Sequence, residues 1–409
     1  MSHQQFDRRA VLGAALSGFF AFAMRHQRSA AFAAPPQGRA KRCLVLWMNG
    51  GPSQFETCDP KSGTATGGDV GAISTAVPGV EISEFLPDIA TQMKDLSVIH
   101  CVTSKEGEHL RGQYLLHTGY PFVPGFPRPA LGAVVSHEAP PADFPRYVTI
   151  GGRGFGPAYM GPEHAPFSIS QPDEVLELMR GIRRRKRRIG LLQELGSAFD
   201  NDHPENMLTR RRSMVSRIET LVSTPFVEAV DLERETRNTR ERYGDHPFGQ
   251  GCLLARRLLE TGVNFVEVQQ DGWDTHANNF AETRELCGAI DKPWMALMKD
   301  LRSSGLLDET VVVWMGEFGR TPNINAQKGR DHFPAVTPVV IGGGGLAGGR
   351  VVGKTNNGGT EIEGDSYQIA DLFATIFAAL GISPAQSFTT SFDSPAAATN
   401  SGKVIAELS

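Results

Sequence analysis

Six short apolar runs, each ending abruptly in polar and glycine-rich sequence, set the pattern of this chain. They lie at 41–48, 96–102, 147–150, 264–268, 311–314 and 336–341, rich in Val, Ile and Leu. Such runs have the length and composition of strands buried on both faces of a sheet. Between them, apolar positions recur at helical spacing over 110–117, 249–260, 282–303 and 368–380, which predicts amphipathic helices. The last helix opens after Asp365-Ser366-Tyr367 and closes at Gly381, a capped start and a glycine stop. Strand alternating with helix predicts an α/β fold with a mostly parallel sheet and right-handed crossovers. The character changes over about 170–245, which is charged and helical; Val175, Leu178, Met179 and Ile182 share one helix face there. A helical insertion packed on the sheet is expected, with the basic run at 180–188 as a solvated face or, in the alternative, a surface that attracts a polyanion or a membrane.

The polar residues that end the apolar runs carry the candidate chemistry. The 311–314 strand gives way to Met315-Gly316-Glu317-Phe318-Gly319-Arg320, and Arg330-Asp331-His332-Phe333-Pro334 precedes the next strand. The 264–268 strand is followed by Gln269-Gln270-Asp271-Gly272-Trp273-Asp274-Thr275-His276. Taken singly, Glu317 or Asp331 reads equally well as a loop carboxylate or a helix cap. Acids and histidines at three separate strand ends are hard to explain by packing, and ligands in open α/β sheets gather at such ends. Together with Arg320 and Arg330 they suit a metal site or an anion site. Thr103 and Ser104 stand between the 96–102 strand and the 110–117 helix. A hydroxyl at such a junction is placed either to act as a nucleophile beside the helix amino terminus or simply to cap it. The glycine runs at 151–156 and 342–349 lack the order of a nucleotide-binding turn, so they read as loops.

Composition narrows the function classes. A net charge of -4 over 409 residues, with 21% charged residues, argues against bulk nucleic-acid binding. Five cysteines occur without any C-x-x-C spacing, which removes the zinc-knuckle and thioredoxin readings and leaves disulfides open without a pairing. At the amino terminus, Arg8-Arg9 precedes an apolar stretch at 14–24 and small residues around Ala31-Phe32-Ala33. That stretch falls short of the roughly 20 residues that span a bilayer. Residues 1–34 therefore read as a twin-arginine signal peptide, residues 35–409 as one domain, and the mature protein as periplasmic or extracellular without a stable membrane span. Cys58-Asp59-Pro60 begins like the formylglycine signature of sulfatases, but Ser62 stands where that signature has arginine.

Four ordered motifs resemble one family. Gly50-Gly51-Pro52-Ser53 with Asp59-Pro60-Lys61, Gly272-Trp273-Asp274-Thr275-His276, Gly316-Glu317-Phe318-Gly319-Arg320-Thr321-Pro322 and Gly329-Arg330-Asp331-His332 look like the exported bacterial proteins grouped as domain of unknown function 1501. The resemblance runs over roughly 41–383. That family is similar to the alkaline phosphatase and sulfatase superfamily, which implies an α/β/α sandwich and a site for one or two divalent ions, zinc or else manganese or calcium. By that resemblance His276 with Asp274 or Asp271 holds a metal, His332 closes the site with Asp331 beside it, and Glu317 stands where the superfamily has an Asp-His pair. Ser104 or Thr103 is then the nucleophile candidate, and Arg320 or Arg330 binds the remaining oxygens of the ester. Asn49 and Phe318 depart from the superfamily pattern, so Glu56, Asp59 or His109 is a possible replacement ligand. The implied activity is hydrolysis of phosphate or sulfate esters on a small molecule or glycan; the alternative is a catalytically reduced relative that binds anionic glycans or assists an envelope complex.

Overall fold

In the computed structural model, the described residues are 38–171, 176–177, 181, 224–390 and 392–409. The signal-peptide expectation falls outside them, as does most of the expected insertion, including its basic run. The part of that region that is described contains the helices Thr224–Val230 and Arg237–Tyr243.

The sheet is built from β1 (Arg42–Met48), β2 (Leu96–Thr103), β3 (Tyr147–Ile150), β4 (Phe167–Ile169), β5 (Phe265–Gln270), β6 (Thr310–Met315), β7 (Thr337–Gly343), β8 (Val351–Val352) and β9 (Tyr367–Gln368). Its order is β8-β2-β7-β6-β1-β5-β3-β4, with β9 extending the β2 edge beside β8. Strand β1 lies at the centre, parallel to both β5 and β6. All six residues of β6 are buried, as expected of a strand covered on both faces. Every apolar run of the sequence became a strand. The three that were not anticipated, β4, β8 and β9, are two- or three-residue edge strands too short to show a pattern.

One strand runs against the rest: β7 is antiparallel to both β2 and β6. The connection from β6 to β7 contains no helix. It folds back as a ribbon in which His332 pairs with Arg320 and Phe333 with Gly319. Without a helical crossover the chain returns in the opposite sense, since parallel pairing needs a long connection across the sheet. This ribbon carries the polar residues of the candidate site.

Helices cover both faces, giving the three layers of an α/β/α sandwich. They are α1 (His109–Thr118), α2 (Leu131–Glu138), α3 (Pro247–Thr261), α4 (Asn279–Ser303) and α5 (Ile369–Ala379). The two-residue period of a strand divides β1 between two cores. Leu44, Leu46 and Met48 face one core with α3 and α4, and Cys43, Val45 and Trp47 face the other with α2 and α5. Residues 38–409 make up one compact unit. All five cysteines are buried and free, so the disulfides left open by the sequence do not form. Among the described residues no helix is long and apolar enough to cross a membrane.

Candidate metal centre

Strand β1 leaves the sheet through Gly50 and Gly51, both with positive φ, 118° and 83°, a region that L-residues with a Cβ avoid. Crowding adds to the requirement. A Cβ on Gly50 would lie 2.4 Å from the Asp274 nitrogen. The sharp turn brings backbone groups against residues more than 200 positions away. The Gly50 N–H donates to both Glu317 carboxylate oxygens at 3.0 and 3.1 Å, and the Gly50 and Gly51 carbonyls accept from Arg320. Glu317 is completely buried and also accepts from His109 Nδ1 at 2.7 Å and from Gln113 Nε2 at 3.4 Å.

Three imidazoles converge on the Asp274 carboxylate. His109 Nε2 lies 3.2 Å from Oδ2, while His276 Nε2 and His332 Nε2 lie 3.1 and 3.2 Å from Oδ1. His109, Asp274 and His332 each bring a ligating atom within 4.8 Å of the others. Behind each ring stands an acceptor for Nδ1: Glu317 for His109, Asp331 for His276 at 2.8 Å, and the Gly107 carbonyl for His332 at 2.8 Å. An acceptor at Nδ1 places the proton there and turns the Nε2 lone pair toward the centre. Two such lone pairs, on His276 and His332, then face each other at 3.0 Å. His109 Nε2 is buried and, among the described residues, has no hydrogen-bond partner. Imidazoles oriented by carboxylate and carbonyl acceptors around a shared carboxylate are a donor set that could hold a transition metal or zinc.

The electrostatics agree with that reading. Burial alone would raise the Asp274 carboxyl, but the hydrogen bond and charge of Arg320, followed by His332 and His109, hold it down at about 2. His109 is raised, first by its hydrogen bond to Glu317. His332 is lowered, chiefly by burial and further by the positive charge of Arg320. Asp274 is therefore held in its anionic form at neutral pH. Phe318 packs its ring 4.4 Å from His332 and 5.1 Å from His109.

Not every residue singled out in the sequence reaches the centre. Asp274, His276 and His332 do. Glu317 and Asp331 stand behind histidines: Glu317 accepts from the Gly50 N–H, the His109 ring and the Gln113 amide, and Asp331 Oδ1 meets the His276 ring. Asp271 turns away and accepts from Asn49 Nδ2 at 2.7 Å. Arg320 and Arg330 are fully buried, with their guanidinium groups hydrogen-bonded inside the protein. Arg320 donates to Asp274 and to the carbonyls of Gly50, Gly51, Trp273 and Arg330. Arg330 donates to Glu56 at 2.8 Å and to the carbonyls of Thr66, Thr321 and Pro322. Asp59 meets Lys61 and Thr355.

The two nucleophile candidates lie at the end of β2 and directly after it. Helix α1 begins at His109, and its first N–H groups are occupied by the Glu108 side chain, which accepts from Leu110 and Arg111. A carboxylate on those donors removes the anion-binding potential that had favoured a hydroxyl there. Ser104 lies upstream, with Oγ accepting only from the Glu106 N–H at 3.3 Å, and Thr103 ends β2. His109 takes the position at the helix start instead. Sequence reasoning missed Gln113, although His109, Gln113 and His117 recur every four residues and so share one helix face.

Similar solved structures share little sequence with this chain. The lipoteichoic acid synthase LtaP of Listeria monocytogenes is 11% identical over 87% of this chain and 75% of that one, with a TM-score of 0.39. A sulfatase from a Pseudoalteromonas species is 11% identical over 92% and 72%, with a TM-score of 0.36. The phosphonate monoester hydrolase of Agrobacterium radiobacter is 13% identical over 90% and 77%, also with a TM-score of 0.36. No curated protein matches the chain in sequence. A family profile matches residues 40–409, nearly the whole described chain, and the protein belongs to that family, described as protein of unknown function, DUF1501.

Proposed function

We propose that this protein is an exported hydrolase of phosphate or sulfate esters that works with one divalent ion held by His109, Asp274 and His332, with His276 completing the set. The observation that carries this reading is the meeting of three Nε2 atoms on a single carboxylate, with every Nδ1 tied to an acceptor. Three imidazoles and one carboxylate suit zinc, or manganese in second place. Calcium, which takes six to eight oxygen ligands, does not fit. Among the described residues there is one such group of ligands, which favours a single ion over two.

A bound divalent ion supplies positive charge at the ester oxygens. The protein's own residues supply the rest. Glu317, Asp331 and the Gly107 carbonyl fix ring orientation and tautomer, so the site is preorganised before substrate arrives. Buried Arg320 anchors Asp274 and keeps it ionised without touching the substrate. His276 is the most exposed of the three rings; with Asp331 on Nδ1, its Nε2 lone pair is the one that completes the ligand set. Water serves as nucleophile in this scheme, in place of Ser104 or Thr103. The twin arginine at Arg8-Arg9 supports export of the already folded, metal-loaded protein.

Metal analysis of purified protein, together with turnover of an aryl phosphate and an aryl sulfate, tests the proposal. One equivalent of zinc or manganese and a turnover abolished in His276→Ala support it. Protein that takes up no divalent ion and turns over neither ester overturns it, in favour of a binding protein for anionic glycans.

A further inference from the structure

Beside the histidine cluster, a cleft of about 280 Å³ opens at the carboxyl ends of β1 and β5. Helix α1 links the two. His109 belongs to the cluster, Gln113 touches Glu317 and Asn49, and His117 lines the cleft. At 1.5 Å per residue the cleft lies about 6–12 Å along the helix from His109. Its back wall is aromatic: the Trp47 and His117 rings are 4.1 Å apart, and Phe155 stacks on His117 at 4.4 Å. Both His117 nitrogens are engaged, one with the Gln113 carbonyl and the other with buried Glu267, so this ring acts as a surface and not as a ligand.

The rim is polar. Arg153 lines the cleft with an exposed side chain and, unlike Arg320 and Arg330, has no ion pair or side-chain hydrogen bond among the described residues. Asp271, which also lines the cleft, spends one oxygen on Asn49, and the other has no partner among the described residues. We infer that this cleft receives the alcohol portion of the ester, a single hydroxylated ring with a negative charge of its own, such as a sugar acid. The volume is at the small end for ligand pockets, which limits the occupant to about one ring. The wall accepts the C–H face of such a ring. Its hydroxyls donate to Asp271, which a purely apolar ring would leave desolvated and unpaired, and its acid group pairs with the Arg153 guanidinium.

This inference rests on the ester-hydrolase reading but has its own readout. The probes are glucuronate and, as the neutral control, glucose, titrated calorimetrically into the full protein at fixed ionic strength. Glucuronate is expected to bind at least about tenfold more tightly than glucose, with that preference lost in Arg153→Ala and kept in His276→Ala. Gly152→Ala provides a steric test: its Cβ would fall 1.6 Å from Gln269 Oε1 and push that side chain into the cleft, weakening glucuronate binding. Equal binding of the two sugars, or a preference that survives Arg153→Ala and disappears in His276→Ala, overturns the assignment. Protein without metal or turnover that still prefers glucuronate would retire the hydrolase reading and leave the cleft standing; metal and turnover without the preference would do the reverse.

Discussion

Glu317 Oε1 accepts the Nδ1 proton of His109 at 2.7 Å across 208 residues of sequence, and this buried contact sets the direction in which His109 Nε2 points. Glu317→Gln would exchange a charged acceptor for a neutral amide and place an N–H among donors. Metal affinity should fall about 10- to 100-fold, the usual cost of losing a partner behind a ligand. Competition with a fluorescent zinc chelator measures it, and an unchanged affinity would remove Glu317 from the site.

Arg330 and Glu56 form a fully buried pair, with the guanidinium also stacked 4.3 Å from the Phe55 ring. Arg330→Met leaves an uncompensated carboxylate and three carbonyls without donors. A destabilisation of about 3–5 kcal/mol is expected, read from denaturant unfolding. A loss below 1 kcal/mol would mean that water reaches Glu56.

The turn at Gly50 predicts a coupled loss. Gly50→Ala has to adopt a positive φ and to displace the Asp274 backbone, so both thermal stability and metal content should drop. A variant that unfolds earlier yet binds a full equivalent of zinc would separate the turn from the site.

Asp291 offers a pH test away from the cluster. Burial raises its carboxyl to about 6, against the opposing effect of the Asp88 and Ile89 N–H groups that it accepts. With a folded value above the ordinary unfolded value near 3.9, the folded state binds the extra proton between those limits. Stability contributed by this group is present at acid pH and is lost as pH rises from about 4 to 6. Wild type should therefore lose stability relative to Asp291→Asn over that window. A constant difference between the two proteins would contradict the assignment.

The cysteines predict an absence of redox sensitivity. All five are buried, and burial raises each thiol, Cys58 to about 12, which leaves little reactive thiolate at neutral pH. Iodoacetamide should label none of them in the native protein and all five after unfolding, as counted by intact mass.

Local pattern was enough for the sheet. The runs that became β1, β2, β3, β5, β6 and β7 are continuous apolar stretches bounded by polar turns, and such runs have few alternatives once they are buried. Asp274, His276 and His332 were legible because acids and histidines at several strand ends exceed what packing requires. The direction of β7 was not legible, since nothing local says whether a polar link will form a helix or a folded-back ribbon. The burial of Arg320 and Arg330 was not legible for a similar reason: charge says nothing about burial, and only the crossing of distant loops shows their N–H groups taken up by carbonyls and carboxylates.

By itself the sequence determined the alternation of strand and helix, the motifs that place the chain in its family, and the strand ends where polar groups collect, because each depends on neighbours along the chain. Tertiary structure alone decided which polar groups meet. The donors that hold Glu317 and the acceptors behind each imidazole come from segments tens to hundreds of residues apart, and hydrogen bonds a few ångströms long exist only once the sheet has brought those segments together.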